Sequence, residues 1–187
     1  DKTLYANWEA VEYTVSFVNW DDSEISSKQY YYSDTVTAPI SPERPSDDRY
    51  NYTFSGWDKE IVSVTENATY KAVYTKTPID YTISYELNDG DNNQSNPDKY
   101  NCETATITLN DPAKLGYKFL GWFTDESFEN QITEIVKGST GNKTLYAGWE
   151  ILTFSIAIPT SSDYTISYVG STTVDYGSNF EFTITVD

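Results

Sequence analysis

Apolar and polar residues alternate with a period of two along most of the chain. In Tyr13-Thr14-Val15-Ser16-Phe17 the large apolar side chains fall on one face and the hydroxyls on the other, and Tyr81, Ile83, Tyr85 and Leu87 repeat the arrangement. That period is the mark of a strand with one buried face. Further on, Leu145, Ala147 and Trp149 share one side and Tyr146 and Glu150 the other, with Lys71 and Thr75 in the matching outward places earlier in the chain. Two stretches, Phe54-Ser55-Gly56-Trp57 and Phe119-Leu120-Gly121-Trp122, break the rule. Strict alternation would send Phe119 and Trp122 to opposite faces, so a bulge at the glycine is expected, with both rings in the core. The irregular middles hold Pro39, Pro42 and Pro45 in one case and Asp111-Pro112 in the other. A short helical turn is expected near Glu126 to Val136, although its β-branched residues are poor helix formers.

The same patterns recur, and repetition sets the domain organisation. Thr3-Leu4-Tyr5-Ala6-Asn7-Trp8-Glu9 returns as Thr144-Leu145-Tyr146-Ala147-Gly148-Trp149-Glu150 and, more loosely, as Thr69-Tyr70-Lys71-Ala72-Val73-Tyr74-Thr75. The order of opening strand, Phe-x-Gly-Trp and ending strand occurs twice, with 68 residues from Tyr13 to Tyr81 and 65 from Phe54 to Phe119. These spacings predict two small modules, at 11–76 and 79–150. Residues 1–10 carry only an ending and read as the C-terminal strand of a preceding repeat, so the chain reads as a fragment. That strand is expected to dock on an exposed edge of the first module or on another molecule, or to complete a truncated preceding module, since an unpaired strand bearing Trp leaves polar backbone and apolar surface in water. Residues 151–187 read as alternating strands, Leu152 to Ile158, Tyr164 to Val169 and Phe180 to Val186, opening a further β module or forming a docked extension.

Composition narrows the chemistry. Lys and Arg total 12 against 29 Asp and Glu, a formal net charge of -17, and so acidic a surface repels phosphate backbones and anionic headgroups. There is no His and one Cys, which removes His-dependent triads, thiol-based zinc sites and internal disulfides. No segment approaches the ~20 apolar residues of a membrane-spanning helix. With 5 Trp, 17 Tyr and 8 Phe, 16% of the chain is aromatic. A buried Tyr or Trp removes ~150–250 Å² from water, which lets a module too small for a large aliphatic core hold together.

Taken together, Tyr-Thr-(Val/Ile)-Ser-(Phe/Tyr), Phe-x-Gly-Trp and Leu-Tyr-Ala-x-Trp resemble the Listeria-Bacteroides repeat, also called the internalin B B-repeat family. The resemblance covers about 11–76 and 79–150 and the ending at 3–9, and is closest in Gly121 to Asp125 and Gly138 to Ala147. The first module departs from it after Trp57, where Asp58-Lys59-Glu60 replaces the longer Phe-Thr-Asp stretch. The resemblance implies a mainly β (α+β) chain of tandem β-grasp-like modules in an elongated arrangement. It further implies an extracellular, non-enzymatic segment of a bacterial cell-surface protein, wall-attached or secreted, that acts as a spacer and adhesive stalk. It brings no catalytic residue, metal ligand or cofactor.

Candidate sites are few. Tyr30, Tyr31 and Tyr32 are consecutive, so one ring at least must face away from the core and offer a flat surface to a sugar or protein; an edge whose outward Tyr packs on a neighbouring module is the plainer reading. Asn88-Asp89-Gly90-Asp91-Asn92-Asn93 has the oxygens calcium prefers, but Tyr100 stands where a calcium loop counted from Asp89 needs its Glu, and a turn explains Asp-Gly directly. Cys102 aligns with Ser33 and reads as structural, and 29 carboxylates in near-duplicate modules single out no catalytic pair. The alternative to a spacer is therefore a glycan- or protein-binding module using exposed Tyr and Trp. The expected partners are other repeats of the same chain and host or bacterial surface proteins or glycans; nucleic acid and membrane insertion are not expected.

Overall fold

The computed structural model describes residues 2–186 and divides the chain into two compact units, the first ending at Ile79 and the second beginning at Asp80. Asp1 and Asp187, the outer ends of the first and last segments marked out in the sequence, lie outside the described residues.

Unit 1 is built on one sheet. β1 (Glu12–Val18) and β2 (Glu24–Tyr31) form an antiparallel hairpin, and β3 (Tyr50–Trp57) pairs antiparallel with β4 (Ala68–Pro78). The order is β2-β1-β4-β3, and the central pair, the first and last strands, is parallel, with Val15 opposite Ala68 and Val18 opposite Lys71. Being central, these two strands supply the core: Val15 and Phe17 from β1 and Tyr70 and Ala72 from β4 are buried, and Val36 and Val64 cover them from the loops. The Phe17 ring lies 4.7 Å from that of Trp57 and 5.1 Å from that of Tyr70, contacts that favour aromatic pairs beyond the area they bury. The proline-rich loop is held down from the same strands. The Tyr74 hydroxyl sits 2.7 Å from Asn19 Oδ1 and 3.2 Å from the Pro42 carbonyl, and the Arg44 guanidinium stacks 3.5 Å above the Tyr52 ring.

Unit 2 repeats the plan with shorter edge strands. β5 (Tyr81–Glu86), β6 (Lys99–Tyr100), β7 (Ile107–Thr108), β8 (Tyr117–Phe123), β9 (Gln131–Ile132), β10 (Glu134–Ile135) and β11 (Lys143–Ile151) give a five-stranded sheet ordered β6-β5-β11-β8-β9 and a small β7/β10 pair. Here too the central pair, β5 and β11, is parallel, with Ile83 opposite Lys143. Leu145 and Ala147 of β11 are 0% exposed and pack with Ile83, Tyr100, Leu109, Trp122 and Ile135. Trp149 packs at the margin of this core and its Nε1–H donates to the Leu87 carbonyl (2.9 Å).

Both expected bulges are present. The β3/β4 register shifts between Phe54 and Gly56, and in β8 Leu120 is the extra residue, Phe119 facing Trp149 while Gly121 faces Gly148. The shift brings Phe119 to the same side as Trp122, with rings 5.5 Å apart, and Phe54 to within 5.4 Å of Trp57. Gly56 and Gly121 carry φ values of 140° and 141°, a region open essentially to glycine.

Two expectations are corrected, and one of the three placements expected for residues 3–9 is set aside. No residue of Glu126 to Val136 is helical, and the described residues contain no helix at all, so the chain is all-β rather than α+β. The Asp125 carboxylate accepts the N–H groups of Glu129 and Asn130 (3.1 and 2.8 Å) and Phe128 turns to φ 56°, which closes a tight turn where a helix would have to continue. Residues 3–9 are not docked on unit 1: they pair in no ladder, and Leu4 and Trp8 are 93% and 88% exposed. Their pattern belongs to a central strand, and β4 already fills that place. Finally, the strand expected over Leu152 to Ile158 contracts to β12 (Thr153–Ser155). It pairs with β14 (Thr173–Asp175), a strand absent from the sequence reading, while β13 (Tyr164–Tyr168) pairs with β15 (Phe182–Val186). The Leu152 N–H donates to the Gly116 carbonyl (2.9 Å) and the Tyr176 ring fills the space where a Cβ on Gly116 would be.

Candidate functional site

The three consecutive tyrosines end the edge strand of unit 1. Tyr30 lies across from Tyr13 and packs on the core, whereas Tyr31 faces out across from Glu12 and Tyr32 enters the following turn. Tyr31 and Tyr32 are 49% and 66% exposed. The turn is fixed from several sides: Ser33 has φ 71°, its N–H donates to the Val64 carbonyl (2.7 Å), and the Val64 N–H donates to the Asp34 carbonyl (3.0 Å). The Tyr31 hydroxyl donates to Glu12 Oε1 (3.0 Å) and its N–H to Asp34 Oδ2 (2.8 Å). The hydrogen bond to Glu12, with that residue's charge, raises the phenol above its ordinary pKa, and the same bond orients the ring. Two flat rings beside two carboxylates can stack on a sugar face or on an apolar or cationic side chain.

A second aromatic group went unrecognised in the sequence. Trp20, Tyr52 and Tyr74 converge on Arg44, which spans the Trp20 and Tyr52 rings at 5.3 and 3.5 Å. The residue signal was present, a lone Arg among prolines, but the loop that folds it back is irregular. Arg44 already occupies these ring faces, so the cluster braces the loop.

The acidic run in unit 2 is a turn. Asn88 and Asp89 both have positive φ (48° and 67°) and the Gly90 N–H closes on the Leu87 carbonyl (3.1 Å), the conformation of a primed turn. The central residues are thus Asn88-Asp89, one place earlier than Asp-Gly suggests. Gly90 is required because a Cβ there would lie 2.8 Å from the Trp149 ring. Lys114 donates to the Asn88 carbonyl (2.6 Å), and Asp91 pairs through its backbone with Ala113. Among the described residues no three His, Cys, Asp or Glu side chains are grouped to hold a metal ion. Cys102 is buried. No described helix is long and apolar enough to cross a membrane.

The family model for the Listeria-Bacteroides repeat domain matches residues 13–78 and 81–148. The chain belongs to the Listeria-Bacteroides repeat family. Each match runs from an opening strand into an ending strand, β1 to β4 and β5 into β11. Two proteins of Evansella cellulosilytica are similar as well. One, named as a membrane protein, is 34% identical over 172 residues, 82% of this chain and 23% of its own length. The other, named as a Gly-rich membrane protein, is 30% identical over 178 residues, 89% of this chain and 19% of its own length. The chain therefore spans about a fifth to a quarter of the length of these curated relatives. Among solved structures, domains 3–4 of the Streptococcal High Identity Repeats in Tandem (SHIRT) from a cell surface protein align with 75% of this chain and 98% of their own, at 13% identity and a TM-score of 0.39.

Proposed function

We propose that this chain is a non-enzymatic, extracellular segment of a bacterial cell-surface protein, in which β-grasp-like repeats in tandem act as a spacer and adhesive stalk. The observation that supports it most is the parallel central pair of each repeat. When first and last strands are parallel neighbours, the chain enters at one end of the sheet and leaves at the other. From the register, Glu12 to Pro78 advances about 40 Å along the strand direction and Tyr81 to Ile151 about 30 Å, at ~3.3 Å per residue. A repeat with opposed ends adds length when concatenated, and tension on those ends must break the central ladder in shear. Membership of the repeat family, and relatives named as membrane proteins, fit a place at the cell surface. The partners in this reading are neighbouring repeats and the surface proteins or glycans the stalk presents itself to.

A second reading is favoured by the exposed pair Tyr31 and Tyr32, a fixed aromatic platform that a glycan or protein ligand could use, with Tyr30 anchoring it from below. One experiment separates the two. A glycan array probed with the labelled chain should stay at background if the repeats are spacers; binding that disappears in Tyr31→Ala would move the function to the ligand-binding reading.

A further inference from the structure

Residues 3–9 and 144–150 are the same seven residues except that Asn7 stands where β11 has Gly148. In β11 the pattern is fully used, with Leu145 and Ala147 buried and Trp149 bonded to the Leu87 carbonyl. In residues 3–9 it is not used: Leu4, Tyr5 and Trp8 stand exposed on a chain that joins no ladder. The segment carries the side chains of a central strand without a sheet, and its one difference from β11 says which sheet it fits.

Gly148 has no positive φ, so its backbone does not call for glycine. Space does. A Cβ at Gly148 would lie 2.7 Å from Cε2 and 3.3 Å from Cδ2 of Phe123, closer than carbon atoms approach. Phe123 cannot leave freely, because its ring packs edge-on against Phe128 (5.4 Å), the residue turned by the Asp125 loop. The phenyl thus covers bare backbone on the outer face of the sheet. Unit 1 makes the opposite choice. Val73 takes the place of Gly148, opposite Gly56. Asp58 follows Trp57 as Phe123 follows Trp122, and it exchanges hydrogen bonds with Lys71: its N–H donates to the Lys71 carbonyl and its carboxylate accepts the Lys71 N–H, each at 2.8 Å. One repeat pairs an aromatic after Gly-Trp with glycine on the closing strand; the other pairs a polar residue there with a side chain on the closing strand. Asn7 matches the second kind.

We infer that the residue after Gly-Trp selects the closing strand a repeat accepts. Phe123 shuts residues 3–9, with their Asn7, out of unit 2, whereas a repeat with a small or polar residue at that position, like Asp58, accepts such a strand. The inference rests on the repeat-array reading above and sharpens it: neighbours with nearly identical closing strands do not trade them.

G148N writes residues 3–9 into β11, so the full chain itself serves as the test. Four proteins are compared by calorimetry: wild type, G148N, F123D and the double variant. The transition of unit 2 is assigned by amide exchange over residues 143–151. G148N should lower that midpoint by about 5 °C or more in the wild-type background and by less than about 2 °C beside F123D. F123S replaces F123D under the same thresholds if the aspartate variant does not fold. Equal drops in both backgrounds would overturn the inference, since Phe123 would not be what excludes Asn. No drop in either would also overturn it, since residues 3–9 would then fit unit 2 as it stands. None of these results depends on whether the array spaces or binds, so glycan binding can overturn the spacer reading without touching this one.

Discussion

At the scale of single residues, most of what holds the loops is a carboxylate collecting backbone N–H groups. Asp125 is the fullest case. A hydrogen bond from the Ser127 hydroxyl, then those from the Glu129 and Asn130 amides, hold its carboxyl at about 2, below the ordinary 3.8. Asp21 and Asp47 are lowered for the same reason, by Ser23 and by Tyr52 respectively. A carboxylate with a depressed folded-state pKa contributes stability that is present above its unfolded value and lost as pH falls through the folded one. The contribution of Asp125 should therefore fade between pH 3.8 and about 2. Asp125→Asn should lower the midpoint of unit 2 at neutral pH and flatten its acid dependence in that window, as a pH series of thermal melts would record. An unchanged slope would mean that the turn at Phe128 is held by something else. The Asp was visible in the sequence as part of the Gly-Trp-Phe-Thr-Asp run; its role as a turn cap was not, because it depends on which N–H groups the folded loop turns inward.

Element by element, strands that alternate large apolar with polar residues were legible, whereas β2, with Ser-Ser-Lys-Gln at its middle, and the shortest strands were not, for a physical reason. Period-two alternation shows which face of β1, β4, β5 and β11 is buried, but a two-residue strand such as β6, β7, β9 or β10 contains no period. Phe128, Ile132, Ile135 and Val136 recur at spacings that imitate one face of a helix, although a tight turn and two short strands stand there. Parallel pairing of first and last strands also left no local trace, since alternation is the same whichever way the neighbour runs. Of the candidate site, the sequence showed only that at least one of Tyr30, Tyr31 and Tyr32 must face outward; that Tyr30 turns in and Tyr31 out, and the Glu12 and Asp34 contacts, belong to pairing and turn geometry. Context decides the value of an element even when its sequence is shared. Trp149→Ala should cost about 3 kcal/mol, the low end for a large ring, and weaken the transition of unit 2, because the ring packed at the margin of the core and its hydrogen bond to Leu87 are both lost. Trp8→Ala, in nearly the same heptapeptide, should stay within about 0.5 kcal/mol, as expected of an exposed site. Denaturant titration of the two variants checks this; comparable losses would show that residues 3–9 have a partner in the isolated chain.

For the whole molecule, the excess of 29 acidic over 12 basic residues keeps the surface anionic. Exposed pairs such as Lys71–Asp22 and Lys118–Glu150 contribute little against water and salt. Stability therefore rests on two aromatic cores, each straddling a parallel central pair, and this arrangement gives a mechanical expectation. Pulling unit 1 through residues 12 and 78 loads all β1/β4 hydrogen bonds at once, while pulling through residues 12 and 31 separates the paired ends of β1 and β2 one bond at a time. Single-molecule pulling should give the higher rupture force in the first geometry and release about 200 Å of chain per repeat, given ~3.6 Å per extended residue. Equal forces would contradict a role under tension. The same arrangement bears on synthesis. The strand that joins the two halves of each sheet is the last to leave the ribosome, and before it arrives β5/β6 and β8/β9 are separate two-stranded ribbons, too small to persist alone. A repeat of this kind is expected to stay a threadable, unfolded polypeptide until its final residues emerge, so that the position of one strand sets the earliest moment at which the sheet can close.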